Sequence, residues 1–145
     1  MKMREKYPYS WRETEKAAVE RKRIETLREY LYSLESALNS VTARYEQRLS
    51  RGTGTKEDIM CKVMDVKSEL KQAEGRLEKI EADLRALFSE LNNPTDALFM
   101  TVLYVYGSDK TVARSLMNLS VSGFYDRLYR CMGELEKILT GREAA

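Results

Sequence analysis

The amino-acid sequence predicts an all-α protein in which a long antiparallel coiled-coil helical hairpin is followed by a C-terminal helix-turn-helix. The first observation is compositional: the chain of 145 residues has only seven glycines and two prolines, and charged residues make up 33% of it, which favours long helices. The second is a heptad spacing of apolar residues in two stretches of similar length. The third is the order of short helix, tight turn and capped helix near the C-terminus.

The length favours one domain, which we divide into three parts. Residues 1–10 are expected to form a flexible basic arm, residues 11–91 the hairpin that mediates oligomerisation, and residues 92–140 the helix-turn-helix. Positive charge is concentrated near the start, because residues 1–28 hold nine Lys or Arg against five Glu, whereas residues 92–145 hold six of each sign. The arm is either a partly ordered tail or a segment that contacts DNA or a protein partner.

The first long helix is expected to begin at about Ser10, after an irregular arm that contains Pro8. Ser10 followed by Glu13 fits a capping box. The apolar positions then alternate by three and four residues, which predicts knobs-into-holes packing against another helix. These positions are Ile24, Leu27, Leu31, Leu34, Leu38, Val41 and Tyr45.

The second long helix follows a break at residues 51–55, where Gly52 and Gly54 predict a loop. Thr55 followed by Asp58 fits another capping box. The apolar positions of this helix keep the heptad spacing for more than four repeats. They are Ile59, Val63, Val66, Leu70, Ala73, Leu77, Ile80, Leu84, Leu87 and Leu91.

The short connection between two helices of similar length predicts an antiparallel hairpin. Two helices alone bury few apolar groups, so we expect the hairpins to associate with one another, with a homodimer favoured. The residues expected to mediate this oligomerisation are Leu31, Leu34, Leu38, Leu70, Leu77, Ile80 and Leu84.

Capping residues set the expected helix boundaries of the C-terminal part. Asn93 is a good N-cap, and Pro94 fits the first helical position because no partner is needed there for its missing N–H. Gly107 can close this helix in the left-handed conformation. The remaining boundaries are a cap at Ser108 or Asp109, a turn at Asn118, which tolerates positive φ, and a cap at Ser120.

Three sets of apolar residues are expected to pack the C-terminal helices together. They are Ala97, Leu98, Val102, Leu103 and Tyr106 on the first helix, Val112, Ala113 and either Leu116 or Met117 on the second, and Phe124, Leu128, Cys131, Leu135, Ile138 and Leu139 on the third.

The pattern Y-x-x-G-S-x-x-x-V-A-x-x-L-x-x-x-S-x-S-x-F-Y, from Tyr104 to Tyr125, resembles the region-4 helix-turn-helix of sigma-70-type factors. It is most similar to small regulators of Gram-positive phages and prophages, the ArpU/RinA-like late-gene activators. Those proteins place a long helical segment before a C-terminal module of this kind. The resemblance implies a DNA-binding regulator that activates late or packaging genes.

The front of the last helix is the expected DNA-reading surface. Helical spacing turns it away from the packed Phe124–Leu128 side, as in a recognition helix that enters the major groove. Hydroxyl groups on this front can donate to bases or phosphates, and an apolar side chain can contact a thymine methyl group. Nearby cations can bind phosphates. The expected DNA-contacting residues are Lys110, Arg114, Ser120, Val121, Ser122, Tyr125, Arg127, Tyr129 and Arg130.

The residue types argue against an enzyme and against a metal or cofactor site. The chain has no histidine, which removes Ser-His and Cys-His triads and every histidine-containing metal site. Cys61 and Cys131 do not form a C-x-x-C motif and are expected to be buried free thiols in a reducing cytoplasm. No apolar run is long enough to span a membrane, and no secretion signal is present at the start.

Three functions remain open. The first is a phage-type or prophage-type transcriptional regulator that binds double-stranded DNA. The second is a helical interaction module that binds RNA polymerase or another regulator with little affinity for DNA, which the balanced charge of residues 92–145 favours. A weaker third is a DNA-packaging adaptor similar to a small terminase, although those proteins usually place the helix-turn-helix at the N-terminus.

Overall fold

The computed structural model describes residues 2–47 and 53–144, with side chains at residues 2–40 and 56–143. Within these ranges every regular element is helical, which confirms the all-α prediction. None of the described helices combines the length and the apolar character needed to cross a membrane. The elements are α1 (Met3–Lys6), α2 (Pro8–Gln47), α3 (Thr53–Phe88), α4 (Pro94–Met100), a π-helical turn (Thr101–Val105), α5 (Lys110–Leu116) and α6 (Val121–Ala144).

The chain divides into two compact units. Unit 1 consists of Met1–Val19 and Glu78–Ala145, and unit 2 consists of Glu20–Leu77. Each of the long helices α2 and α3 therefore contributes one end to unit 1 and the rest to unit 2. The start of α2 and the end of α3 belong to the same compact unit as α4, α5 and α6.

Unit 2 has a narrow apolar core made from both long helices. Leu34 of α2 packs with Val63 and Val66 of α3, and the partly buried Leu27, Leu31 and Ile59 pack against this cluster. At the other end of the unit the buried Glu20 accepts hydrogen bonds from Arg23 and Arg76.

The two predicted heptad seams are covered wherever side chains are described. Leu38, Leu70, Leu77 and Ile80 are half-buried, whereas Ile24, Ala73, Leu84, Leu87 and Leu91 are buried. Leu91 follows the end of α3 and is no longer helical. The side chains of Val41 and Tyr45, and the predicted loop at Arg51 and Gly52, lie outside the described residues.

Both long helices begin earlier than predicted. The arm is not irregular, because residues 3–6 are helical and α2 starts at Pro8. Ser10 is therefore not an N-cap, and its hydroxyl donates to the carbonyl oxygen of Met132 at 2.8 Å. The first free N–H groups of α2, on Tyr9 and Ser10, donate to the two carboxylate oxygens of Glu136 on α6. A distant carboxylate replaces the local capping box and also complements the positive end of the helix dipole.

The capping box at Thr55 is likewise wrong, because Thr55 lies inside α3. Cys61 is exposed rather than buried, whereas Cys131 is buried as expected. Four residues expected to pack the C-terminal helices instead leave about half or more of their surface exposed to solvent. They are Leu98 at 53%, Tyr106 at 61%, Val112 at 49% and Leu116 at 67% of their accessible surface.

Unit 1 is built around the predicted apolar face of α6. Phe124, Leu128, Cys131 and Leu135 are buried, and so is Met132. The ring of Phe124 meets the ring of Phe99 from α4 edge to face, with centroids 5.4 Å apart, a favoured geometry for aromatic pairs. The face of α6 that the 3.6-residue period identified is thus the face that the rest of unit 1 covers.

The local caps of unit 1 agree with the predicted boundaries. Asn93 Oδ1 accepts the N–H of Thr95 at 2.9 Å, and Asp109, rather than Ser108, caps α5 by accepting the N–H of Thr111 at 3.0 Å. Gly107 has φ 66° and Asn118 has φ 54°. The π-helical turn between Met100 and Tyr106 was not predicted, since no residue pattern distinguishes it from continued α-helix.

Candidate functional site

Ala113 and the turn at Asn118 position the segment from α5 to the first turns of α6. Ala113 is fully buried, so α5 can approach the rest of unit 1 closely. The left-handed Asn118 then reverses the chain, and the N–H of Leu119 donates to the carbonyl oxygen of Arg114 at 2.9 Å. The first residues of α6 follow at once, held in a fixed position by this turn.

Ser120 caps α6. Its Oγ accepts the N–H of Gly123 at 3.0 Å and lies 3.4 Å from the hydroxyl of Ser122. A Cβ atom added at Gly123 would lie 3.0 Å from that same Oγ, so a larger residue there would crowd the cap. The predicted cap at Ser120 is confirmed, and its hydroxyl is engaged within the chain.

We use the term reading face for the exposed residues Val121, Ser122 and Tyr125 together with Lys110. Val121 is 54% exposed and Tyr125 is 38% exposed. The Tyr125 ring packs edge to face on Phe124, with centroids 5.2 Å apart, and the Lys110 ammonium lies 5.6 Å from the centre of the Tyr125 ring. An aliphatic group, two hydroxyls and a cation are thereby presented on one surface.

Arg127 and Arg130, both expected to bind phosphate, share a buried partner in Asp96. An Arg130 Nη2–H donates to Asp96 Oδ1 at 2.7 Å, and Arg127 Nε lies 3.8 Å from the same oxygen. The Asp96 carboxylate raises the pKa of Arg130 further above its ordinary value. Two positive charges meet one negative charge, so the cluster retains one net positive charge.

Arg114 and Tyr129 differ from the reading face in their surroundings. Arg114 is half-buried, and among the described residues its Nε is a buried polar atom without a hydrogen-bond partner. Tyr129 is 38% exposed and lies farther along α6, where it lines a groove beside the start of the chain. Arg114 lies one turn after Lys110 on α5, and Tyr129 lies one turn after Tyr125 on α6.

Two titratable groups in unit 1 are held neutral by burial. Burial raises the pKa of the Cys131 thiol to about 12, from an ordinary value of 9.0, and it raises the pKa of the Tyr104 hydroxyl to about 12. A thiol that keeps its proton at neutral pH is a poor nucleophile. The described residues contain no group of three or more His, Cys, Asp or Glu arranged to hold a metal ion.

Sequence reasoning missed Asp96 and Glu136, the two acids that organise unit 1. Asp96 was one acid among many in a charged sequence, although its position in the first turn after an Asn-Pro cap is where helices favour negative charge. Glu136 gave no local signal, because it accepts hydrogen bonds from the N–H groups of Tyr9 and Ser10. These residues precede it in the sequence by 127 and 126 positions. Comparison of the chain with protein-family models, with curated proteins and with solved structures gave no match.

Proposed function

We propose that the protein is a DNA-binding transcriptional regulator that inserts the start of α6 into the major groove as the second helix of a helix-turn-helix. One observation carries the proposal: the Ser120-capped start of α6 leaves Val121, Ser122 and Tyr125 exposed beside Lys110, while the opposite side of the helix is buried. A recognition helix needs this division between a packed side and an open start.

Each residue of the reading face has a distinct role in this proposal. The hydroxyls of Ser122 and Tyr125 donate to base edges or phosphates, and Val121 contacts a thymine methyl group. Lys110 binds a phosphate and thereby positions the module without reading sequence. Arg127 and Arg130 act mainly through the net positive charge of their cluster, because both are committed to Asp96.

Unit 2 serves in this proposal as a self-associating coiled-coil hairpin. Its core of Leu34, Val63 and Val66 is narrow, and helix pairs of this kind gain stability by packing with further helices. A homodimer would present two reading faces, which fits two half-sites separated by whole turns of DNA. The resemblance of Tyr104–Tyr125 to sigma region 4 supports a role as a phage or prophage late-gene activator.

Fluorescence anisotropy with the promoter region beside the protein's own gene tests the proposal. Wild type should bind this duplex, and Lys110→Ala should weaken binding to all duplexes and flatten the salt dependence by about one unit. Ser122→Ala and Tyr125→Ala should change preference between sequences by about 1–3 kcal/mol per lost base contact. Ser68→Ala, at an exposed serine of unit 2, is the matched control. Failure of wild type to bind at low salt would refute the proposal.

A second candidate is a protein-interaction module that binds RNA polymerase or another regulator. The exposed apolar residues Val112 and Leu116 favour it, since they lie four positions apart on one side of α5 and are 49% and 67% exposed. The balanced charge of residues 92–145 also favours it. Purified RNA polymerase should then bind wild type, and the uncharged change Leu116→Gln should abolish that binding without changing affinity for DNA.

A further inference from the structure

A groove of about 700 Å³ in unit 1 lies where the start of the chain crosses α6. We call it the arm groove and define it by Lys6, Tyr7, Tyr129, Arg130, Gly133 and Lys137 among its lining residues. Gly133 lies beneath Tyr7, because a Cβ atom added there would lie 3.4 Å from the Tyr7 ring, at the edge of ordinary contact. The function proposed above uses only Arg130 among these residues, through its cluster with Asp96.

The start of the chain is anchored on α6 by three long-range hydrogen bonds. The Ser10 hydroxyl donates to the carbonyl oxygen of Met132 at 2.8 Å. The N–H groups of Tyr9 and Ser10 donate to Glu136 at 3.2 and 2.8 Å. The basic residues just before this anchor, Lys6 among them, are therefore held next to α6.

The charges that line the arm groove differ in how they are engaged. Its two carboxylates accept backbone N–H groups, Glu136 from the start of α2 and Glu134 from Asn92 at 3.0 Å. Its three cations are Lys6, Arg130 and Lys137. The two lysines are exposed, and Arg130 is 57% exposed although it also binds Asp96. The groove is therefore lined by three positive and two negative side chains, and the exposed charges among them are the positive ones.

The arm groove continues the same side of α6 that begins at the reading face. Ser122, Asp126, Tyr129, Gly133 and Lys137 are spaced by four, three, four and four residues, which aligns them on one helix side. Ser122 and Gly133 are eleven residues apart, or about 16 Å along the helix. In the proposed complex, the turns of α6 after Ser122, including the one that carries Gly133, lie toward the phosphate strands that border the major groove.

We propose that the arm groove binds the sugar-phosphate backbone of duplex DNA at the edge of the major groove entered by the reading face. This inference rests on the proposed function. Lys6 and Lys137 each neutralise one phosphate, and the Tyr129 hydroxyl, on the same side of α6, donates to another. The excess of positive charge in residues 1–28 then contributes to DNA binding through Lys6, which compensates for the balanced charge of residues 92–145.

The test measures the salt dependence of binding by wild type, Lys6→Ala, Lys137→Ala and the double variant to a short labelled duplex of mixed sequence. Each single change should flatten the slope of log affinity against log salt by about 0.9 unit, and the double variant by about 1.8. Lys79→Ala, an exposed lysine of α3 in unit 1 that does not line the groove, should leave the slope unchanged.

The outcomes separate this inference from the proposed function. Slopes equal to wild type in both lysine variants, with binding still sensitive to Ser122→Ala or Tyr125→Ala, would overturn the inference and leave the reading face standing. Slopes that depend on Lys6 and Lys137, together with a sequence preference that Ser122→Ala and Tyr125→Ala leave unchanged, would support the arm groove and refute the reading face. A wild-type chain that binds poly-glutamate but no duplex would overturn both.

Discussion

Unit 1 and unit 2 hold themselves together in different ways. Unit 1 buries large aromatic and sulfur-containing side chains, including Phe88, Phe99, Phe124 and Met132, which are fully covered. In unit 2 the described apolar residues that are buried are only Ile24, Leu34, Val63, Val66 and Ala73. Unit 2 is stabilised by aliphatic contacts that repeat along two helices. Unit 1 is stabilised by contacts between residues that are distant in sequence and follow no repeat.

The difference explains where a functional surface can be kept rigid. In unit 1 the turn at Asn118, the cap at Ser120 and the packed rings of Phe99 and Phe124 fix the start of α6 from several directions. Groups that must read a ligand need such support from their surroundings. A seam with few fully buried residues gives less support of this kind.

The largest expected effect is on the aromatic core of unit 1. Phe124→Ala should lower the free energy of unfolding by about 3–5 kcal/mol, because it removes a fully buried ring that contacts Phe99. Urea denaturation followed by circular dichroism measures this loss. Val121→Ala, three residues earlier and 54% exposed, should change stability by no more than about 0.5 kcal/mol. Equal effects of the two changes would contradict the packing described for α6.

A smaller effect is expected in the narrow core of unit 2. Leu34→Ala should lower the free energy of unfolding by about 2 kcal/mol. This is at the low end for such truncations, because the neighbours of Leu34 are few and partly exposed to solvent. If the hairpins associate, the denaturation midpoint of wild type should rise with protein concentration, and the variant should weaken that dependence. A midpoint independent of concentration, together with a monomeric mass by light scattering, would remove self-association from the account.

The apolar stripes of the two long helices were predictable from sequence, since heptad spacing identifies a stripe before any partner is known. Every residue of these stripes whose side chain is described, from Ile24 to Leu91, is buried or half-buried. The capping residues Asn93, Asp109 and Ser120 were also readable, because a cap acts within three residues of itself. Local rules succeed where the interaction is local.

The arm and the charged clusters of unit 1 were not predictable for the opposite reason. Glu136 caps α2 across more than 120 residues, and Arg130 reaches Asp96 across 34. No periodicity specifies such pairs.

On α5, Ala113, Val112 and either Leu116 or Met117 were expected to be covered. Ala113 is buried and Met117 is half-buried, whereas Val112 and Leu116 are exposed. A helix of seven residues is too short for apolar spacing alone to identify its covered side.

The two cysteines, one in each unit, allow the units to be compared through the solvent accessibility of their thiols. Cys61 in unit 2 is exposed and should react with a maleimide in the native protein, whereas the buried Cys131 in unit 1 should not. The pKa of Cys131 is raised in the folded chain, so the unfolded chain loses that proton first as pH rises. Stability is fully present well below pH 9 and should fall as the pH rises through it, by roughly 1–2 kcal/mol at pH 10.

Variants at the two thiols provide the control for this pH dependence. Cys131→Ala should reduce the loss of stability between pH 9 and 10, and Cys61→Ala should leave it unchanged. Thermal or urea unfolding across this pH range makes the measurement. Burial also raises the pKa of Tyr104 to about 12. The free energy of unfolding should therefore fall further above pH 10 in wild type and in both cysteine variants. Native labelling of both thiols at the same rate would contradict the burial of Cys131.

The smallest expected effect concerns the charge on the front of α6. Asp126 is exposed and lies four residues after Ser122, so in the proposed complex it faces the DNA. Asp126→Asn should strengthen binding to duplexes of any sequence if Asp126 lies near a phosphate, because it removes a like charge. If its carboxylate accepts from a cytosine amino group, the same change should weaken only the specific complex. A change that affects neither would show that α6 does not face DNA at this position.

The central proposal is tested most directly by selecting bound duplexes from a random-sequence pool. The selection is done with wild type and repeated with Ser122→Ala and Tyr125→Ala. The reading face predicts that wild type enriches one sequence, arranged as two half-sites about one or more whole turns of DNA apart. Each variant should enrich a sequence that differs at particular bases. No enrichment by wild type, or the same enriched sequence from all three proteins, would contradict the reading of DNA by α6.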